Sequence, residues 1–264
     1  MTNPTAGRPF VVEGQARIAS VSATGGWSDA IVIADLTLSP AERGEVAEHY
    51  LGMALAEHAS IASFARFALQ LLSVGAPSDL VEGCARAMSD ETRHARFAFA
   101  VVEQLVGSPV APGELNTTDA ASHGDSGLRS SSPSLREIVR LAIREGAIGE
   151  TLASVELALS AELASPPWLS KALRGLADDE ARHAELAFRF VAWALQSDVS
   201  LQGVIDEELS RPVSWVEEPP RSKLEAWGIL TPRVRAQTRA DALALVVRPL
   251  LTFARREHAS AARS

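Results

Sequence analysis

Cysteine is almost missing from this chain of 264 residues, in which Cys84 is the only one. A single cysteine excludes an intrachain disulfide, and it also excludes a cysteine cluster that could hold zinc, an iron-sulfur centre or a rubredoxin-type iron. A protein without disulfides fits a reducing compartment. We therefore expect a cytoplasmic protein.

Positive charge and long apolar runs are also scarce. The chain has 25 Lys and Arg against 33 Asp and Glu, which gives a formal net charge of -8. This acidic balance argues against a nucleic-acid partner, because phosphate binding needs a concentrated basic face. The sequence contains no run of about 18 uncharged apolar residues and no basic segment followed by an apolar run at its start, so we expect neither a membrane span nor an export signal.

Aromatic residues make up only 5% of the chain, with one Tyr, whereas hydrophobic residues reach 47%. Leu and Ala are prominent, and this balance favours packed helices over a β-sandwich. We predict an all-α protein with one main domain and two appendages. The appendages are an extended N-terminal segment over 1–38 and a helical C-terminal extension over 198–264, with helices near 199–209 and 232–260 and a disturbance at Pro249.

Four long helices are predicted between the appendages, over 40–74, 78–106, 134–164 and 167–196. Ser39 and Pro40, with Glu42 following, form the capping box and first-turn proline that start a helix. The breaks after the first and third helices are short, which indicates two antiparallel helix hairpins.

The segment 107–133 joins the two hairpins and is rich in Ser, Gly, Pro and Thr without a periodic apolar pattern. This composition predicts a loop or flexible linker. If the third helix runs parallel to the second, the chain must return along a helix about 42 Å long, and a linker of this length can span that distance. A short, a long and a short connection then follow one another.

The second and fourth helices carry the same motif, D-E-x-R-H-A, at 90–95 and at 179–184. Each copy supplies a Glu and a His three residues apart, which share one face of a helix. The first and third helices each place a further glutamate on their apolar side. The six residues of this pattern are Glu57, Glu91, His94, Glu150, Glu180 and His183.

All six residues fall on the apolar seams that the helical period predicts. A buried, isolated carboxylate costs several kcal/mol, and four facing carboxylates would also repel one another. No Lys or Arg lies on these seams, whereas two divalent cations would neutralise the four carboxylates and accept the two imidazoles. The alternative, a set of solvated charges and hydrogen-bonded histidines, does not explain why all six lie on seams.

The chain from about 40 to 196 resembles the ferritin-like superfamily of di-metal carboxylate proteins, whose bundle would here occupy 39–197. The resemblance implies a four-helix bundle of two hairpins with a long crossover. It also implies two iron ions, with manganese as the alternative. By the same resemblance Glu91 and Glu180 would bridge the ions, Glu57 and Glu150 would be terminal ligands, and His94 and His183 would each complete one ion.

Two further glutamates and two aspartates lie close to these residues. Glu145 and Glu156 are each one position off the seam, so Glu150 is the preferred ligand of the third helix. Asp90 and Asp179 resemble aspartates of bacterial di-iron monooxygenases and ribonucleotide reductase small subunits, which hold a ligating histidine by its free N–H. A plain surface charge is the alternative for both. Arg93 and Arg182 would close local ion pairs.

His58 and Tyr50 lie beside the pattern without belonging to it. His58 would point about 100° away from Glu57, so we expect a surface position or an inter-helix hydrogen bond instead of metal binding. Tyr50 lies two turns before Glu57 on the same face. We interpret it as a core residue, with a redox or proton-donating role as the alternative.

These observations predict a non-haem di-iron oxygenase or oxidase that uses O2 to oxidise a small organic substrate. An external electron donor could supply its electrons, and we expect a monomer or a small homo-oligomer. A ferroxidase or other iron-handling protein, a di-metal peroxidase or catalase, and a non-catalytic helical scaffold are the alternatives, since a fold does not fix a function. Small residues beside the ligands would leave space for a substrate; they are Ala59, Ala62, Ala95, Ala147, Gly149, Ala153 and Ala184.

Overall fold

The computed structural model describes residues 8–33, 38–118, 133–211 and 224–261. These residues are mostly helical, and the strands among them are only two residues long. None of the helices among them is both long and apolar enough to cross a membrane.

Four long helices agree with the predicted segments to within one residue at each end. Ser39 caps the first helix, and Glu42 completes the predicted capping box. The segment predicted over 134–164 is helical, but nine residues in its middle form a π-helix, which the sequence pattern did not predict. The bounds are Pro40–Ser73 for the first helix, Ser78–Val106 for the second and Pro167–Ser197 for the fourth; the third consists of α-helix Leu135–Leu141, π-helix Ala142–Glu150 and α-helix Thr151–Leu163.

Contacts between the helices give their directions. The first helix packs along the second, the third packs along the fourth, and the second also packs against the fourth. Ser154 and Ser170 donate hydrogen bonds to the backbone of residues 177 and 161, so the third and fourth helices are antiparallel. The second and fourth are antiparallel as well, because residue 90 meets residue 183 and residue 94 meets residue 179. The second and third helices therefore run in the same direction, and the chain between them must return along their length.

The apolar interior lies in two main clusters, one towards each end of the helices. Phe67 and Phe190 belong to the first cluster, and Tyr50 and Phe99 belong to the second. The six candidate ligands lie in the sequence between the members of these clusters on every long helix. The packed ends therefore hold the helices in register around the polar centre.

The N-terminal segment is extended and packs on the helices, as predicted, over 8–33. Val11–Val12 pairs with Gln15–Ala16 in a tight antiparallel hairpin. Val21–Ser22 pairs with Ala111–Pro112, so a part of the linker after the second helix forms a short strand instead of an unstructured loop. The predictions for the N-terminal segment and for the linker also cover 1–7, 34–37 and 119–132, which lie outside the described residues.

The C-terminal extension contains the two helices that the sequence predicts. The longer one is disturbed, as expected, but the disturbance comes just before Pro249 and is a π-helical turn. Proline lacks the N–H of a helical hydrogen bond and clashes with the carbonyl four residues earlier, and a wider turn relieves both. The elements are Val199–Leu201, Gln202–Leu209, Glu225–Trp227 and Pro232–Ala242, then the π-helix Leu243–Val247 and the α-helix Arg248–Ala261.

Candidate metal centre

The structure brings the six predicted ligands together at mid-length of the four long helices. All six side chains are buried, and none of the six residues is more than 4% exposed. Glutamates are almost never buried without a partner, so four of them in one place require a compensating charge.

The six residues form two groups, each of which could hold a metal ion. Glu57 and His94 belong to one group only, and Glu150 and His183 belong to the other only. Glu91 and Glu180 belong to both. In each group the candidate ligand atoms lie within 4.8 Å of one another. The two shared carboxylates can therefore reach both positions, whereas each remaining residue reaches one.

Both imidazoles turn the same nitrogen towards the carboxylates. His94 Nδ1 lies 3.2 Å from a Glu180 oxygen and 3.7 Å from a Glu91 oxygen. His183 Nδ1 lies 3.1 Å from the other Glu180 oxygen and 3.3 Å from Glu91. The Nδ1 atoms are therefore the ones available to a cation in the middle of the site.

The second ring nitrogen of each histidine meets an aspartate of the facing helix. His94 Nε2 lies 3.0 Å from Asp179, and His183 Nε2 lies 3.3 Å from Asp90. Each aspartate thus contacts a histidine of the centre, as predicted, but the histidine belongs to the other copy of the motif. A carboxylate that accepts the Nε2 proton fixes the ring so that Nδ1 offers its lone pair to the centre.

The arginines of the two motifs lie on the outer side of these aspartates. Arg93 pairs with Asp90 of its own helix and also lies 3.3 Å from Asp179. Arg182 pairs with Asp179 of its own helix and lies 4.0 Å from Asp90. Both guanidinium groups are more than half exposed. The local ion pairs predicted for the arginines are present and extend to the facing helix.

Burial and mutual repulsion shape the charges of the carboxylates. Burial raises the pKa of Glu57 well above its usual range, and the nearby Glu91 charge adds to this. Burial likewise raises the pKa of Glu150, with a further rise from the Glu180 charge. For Glu180 burial opposes ionisation, but the close contacts with His183 and His94 outweigh it and lower the pKa. The metal-free site therefore favours protonation at its two ends and ionisation in its middle.

The histidines complement this pattern. Burial acts to lower the pKa of both imidazoles, but the close approach of the surrounding carboxylates raises it well above the usual range. Glu180 is the largest of these partners for His94, and Asp90 is the largest for His183. Protons on the imidazoles therefore supply part of the positive charge that the cluster needs when no cation is bound.

Several buried polar atoms of this cluster have no hydrogen-bond partner among the residues that the structure describes. They include both carboxylate oxygens of Glu91, both carboxylate oxygens of Glu150, and His94 Nδ1. Buried polar atoms normally have partners, so such a concentration points to a bound species. Carboxylate oxygens and imidazole nitrogens are the ligands that divalent iron or manganese takes in proteins. The residues present therefore fit a pair of metal ions.

A cleft adjoins the site on one side. It lies between the first and third helices and the segment 228–235. Of the six candidate ligands, Glu57 alone lines this cleft. Its apolar wall includes Met53, Ala153, Leu157, Leu173 and Leu230.

The two off-seam glutamates of the third helix are buried, although neither belongs to the metal groups. Glu145 accepts a two-oxygen hydrogen bond from Arg66 of the first helix. Glu156 pairs with Arg239 and lies 3.6 Å from Arg235, both in the C-terminal extension. Sequence reasoning missed these arginine partners because they lie far away in the chain. The preference for Glu150 as the residue of the third helix in the cluster agrees with the structure.

His58 and Tyr50 do not join the cluster. The ring of His58 packs edge-on against Trp27, with centroids 4.8 Å apart, and the inter-helix hydrogen bond proposed for it is not among its described contacts. Tyr50 is buried and donates a hydrogen bond to the backbone oxygen of Trp227 at 2.9 Å. Its hydroxyl group is thus used in the core, which supports the core interpretation.

Comparison with protein-family models, with curated proteins and with solved structures finds no match for this chain. A function for this chain must therefore be argued from the arrangement of the six residues and their neighbours.

Proposed function

We propose that this chain is a ferritin-like di-metal carboxylate protein, a four-helix bundle that acts as a non-haem di-iron oxygenase or oxidase. The observation that supports it most directly is the pair of overlapping ligand groups that share Glu91 and Glu180. Two bridging carboxylates hold two ions close together, which a pair of separate sites would not do. Iron is the proposed metal and manganese the alternative.

Some residues of the site would contact both ions, and the others would contact only one. Glu91 and Glu180 would contact both ions, while Glu57 with His94 and Glu150 with His183 would each serve one. Asp179 and Asp90 hold the Nε2 protons of the two histidines, so each imidazole keeps one orientation and one tautomer. When bound, two redox-active ions would supply the electrons for the reduction of O2.

Two features favour oxidation of a small organic molecule over iron storage. Each ion would have an imidazole that a facing aspartate fixes, and such support strengthens metal retention. Storage requires the opposite, because oxidised iron must leave the site. The cleft beside Glu57 also gives a small molecule a route to one of the two ions, along an apolar wall. An external electron donor would be a partner in this reaction.

Iron loading followed by oxygen separates these functions. The metal-free protein is loaded with Fe(II) without oxygen, exposed to O2, and followed by optical and Mössbauer spectroscopy with iron counted per chain. An oxygenase should consume about two Fe(II) per chain and then require a reductant for further oxygen uptake. Oxidation of tens of Fe(II) per chain with mineral formation would contradict this function and support a ferroxidase. Rapid release of O2 from added peroxide by the manganese-loaded protein would support a catalase.

A further inference from the structure

The N-terminal segment inserts one arginine, Arg8, between the first and third helices. The side chain is among the largest that are fully buried, at 1% exposure. Ser60 donates a hydrogen bond to the Arg8 backbone oxygen at 2.8 Å, and Arg8 Nε donates one to Ser63 Oγ at 3.2 Å. Burying a guanidinium group is costly, so its position needs an explanation.

Pairing with a carboxylate does not provide that explanation. Glu145 is the acid nearest to Arg8 among the described contacts, at 3.8 Å from Nε, but Arg66 already binds both oxygens of Glu145. These three buried residues contain two positive charges and one negative charge. Arg8 Nη1 also has no hydrogen-bond partner among the described residues. One positive charge is therefore left over inside this cluster.

The excess charge lies close to the metal centre. The Arg8 guanidinium carbon lies 4.9 Å from the centre of the Phe64 ring, and that ring packs against His183 with centroids 5.1 Å apart. Because both contacts meet at Phe64, Arg8 and the His183 ring are at most about 10 Å apart. At this distance, with little water between them, the charge is not screened as it would be at the surface.

Two neighbours place the guanidinium group on the side of the centre formed by Glu150 and His183. A Cβ atom on Gly146, one turn before Glu150, would lie 3.1 Å from Arg8 Nη1. The Cys84 thiol lies close enough to both Arg8 and His183 to feel their charges, which counteract part of the rise that burial causes in its pKa. Arg8 therefore lies against residues around this half of the centre, and its described hydrogen bonds and ion pairs involve none of the six candidate ligands.

We infer that Arg8 is a positioning residue of the metal centre: it fixes the Phe64 ring against His183 and keeps a positive charge beside the Glu150 and His183 half. This inference rests on the proposed function. A nearby positive charge favours the less positive state of the bound ions. Arg8 therefore raises the reduction potential of the pair and makes the two metal positions unequal.

The test measures the reduction potential of the iron-loaded protein by spectroelectrochemistry, together with iron per chain. Arg8→Met removes the charge but keeps most of the volume, and Glu145 retains Arg66 as its partner. We expect Arg8→Met to hold two ions and to have a lower potential than the unaltered chain. Arg8→Lys keeps the charge and should restore most of the difference. Arg8→Gln also removes the charge but keeps a hydrogen-bond donor, so it replaces Arg8→Met if that variant does not fold, and the same lower potential is expected.

Arg17→Met is the matched control, because it removes the same charge from the same segment at a position whose hydrogen bonds are at the surface. Its potential should be unchanged. If the variant without the charge, Arg8→Met or Arg8→Gln, keeps the unaltered potential while two ions are bound, Arg8 has no role at the centre, although the proposed function stands. If the unaltered chain binds no metal pair, both proposals are wrong.

Discussion

The second and fourth helices form a nearly symmetric half of the centre, whereas the first and third helices do not. Asp90 and His183 repeat the relation between Asp179 and His94, and both motifs place their arginine outside the aspartate. The first helix is α-helical throughout, but the third contains a π-helix that ends at Glu150. The two copies of the motif therefore have the same geometry, whereas the first and third helices differ from each other.

The difference suggests separate tasks for the two halves. The symmetric half holds the shared carboxylates and both imidazoles, which any pair of ions needs. The other half gives the two positions different surroundings, with a cleft beside Glu57 and the Arg8 cluster near Glu150. Loss of a carboxylate that both ligand groups share should consequently change both ions together, whereas a change at a residue that serves one group should affect one ion.

The largest effect is expected from loss of a shared carboxylate. Glu91→Ala and Glu180→Ala should each abolish binding of the pair, because each residue belongs to both ligand groups. Glu57→Ala and Glu150→Ala should each weaken one position and leave about one ion per chain. Metal counted per chain after dialysis against a weak chelator measures the difference.

His58→Ala is the control for this series, because His58 is next to Glu57 in the sequence but packs on Trp27. It should retain about two ions per chain. If the Glu91 and Glu180 variants lose only one ion, as the Glu57 and Glu150 variants should, no carboxylate is shared. If all four variants lose both ions, the shared and unshared glutamates cannot be told apart, and in either case the comparison between the two halves fails.

A smaller and more specific effect is expected from the aspartates behind the histidines. Asp90→Asn should weaken the ion held by His183, and Asp179→Asn should weaken the ion held by His94, each by about 10- to 100-fold in affinity. Competition with a metal indicator gives the two dissociation constants. Asp178→Asn, at an exposed neighbouring position, should change neither. If Asp90→Asn weakens only the ion at His94, the crossed arrangement is wrong.

The sequence contains enough information for the long helices and for the symmetric half of the centre. Helical periodicity, the Ser39 capping box and the short breaks depend on neighbouring residues, so they can be recognised locally. The repeated Glu and His pairs could be predicted to converge because each pair shares one helix face. The length of the linker allowed the third helix to run parallel to the second, and the contacts between the helices give that direction.

The asymmetric half could not be predicted in the same way. Arg8, Arg66 and Glu145 meet across the fold, as do Glu156 and Arg239, and nothing local in the chain pairs them. The π-helix changes which residues of the third helix face inward, so a seam drawn with a constant helical period excluded Glu145 from the interior. Gly146 and Gly149 in this segment are a local signal that the helix is weakened there.

The smallest expected effect concerns the stability of the metal-free protein, where the two halves also differ. Glu57 and Glu150 have pKa values raised by burial and by the charges of the shared carboxylates. The folded protein therefore holds their protons more strongly than the unfolded chain does. The contribution of these two protonated glutamates to the free energy of unfolding is fully present below their pKa in the unfolded chain. It is lost as the pH rises through their pKa in the folded protein.

Glutamine has nearly the shape of protonated glutamate but cannot ionise, so Glu57→Gln should avoid this loss. Metal-free Glu57→Gln should melt a few degrees above the metal-free unaltered chain at neutral pH, since about 1 kcal/mol moves the melting temperature by about 2–4 °C in a chain of this size. This difference in melting temperature should shrink in acid and grow as the pH rises. Glu150→Gln should behave alike, and Glu48→Gln, at an exposed position of the first helix, should have no effect. With metal bound, the unaltered chain should instead melt at the higher temperature, because Glu57→Gln removes a negatively charged ligand. A gap that does not depend on pH would mean that the substitution acts through packing and not through the repulsion that the metal ions are proposed to relieve.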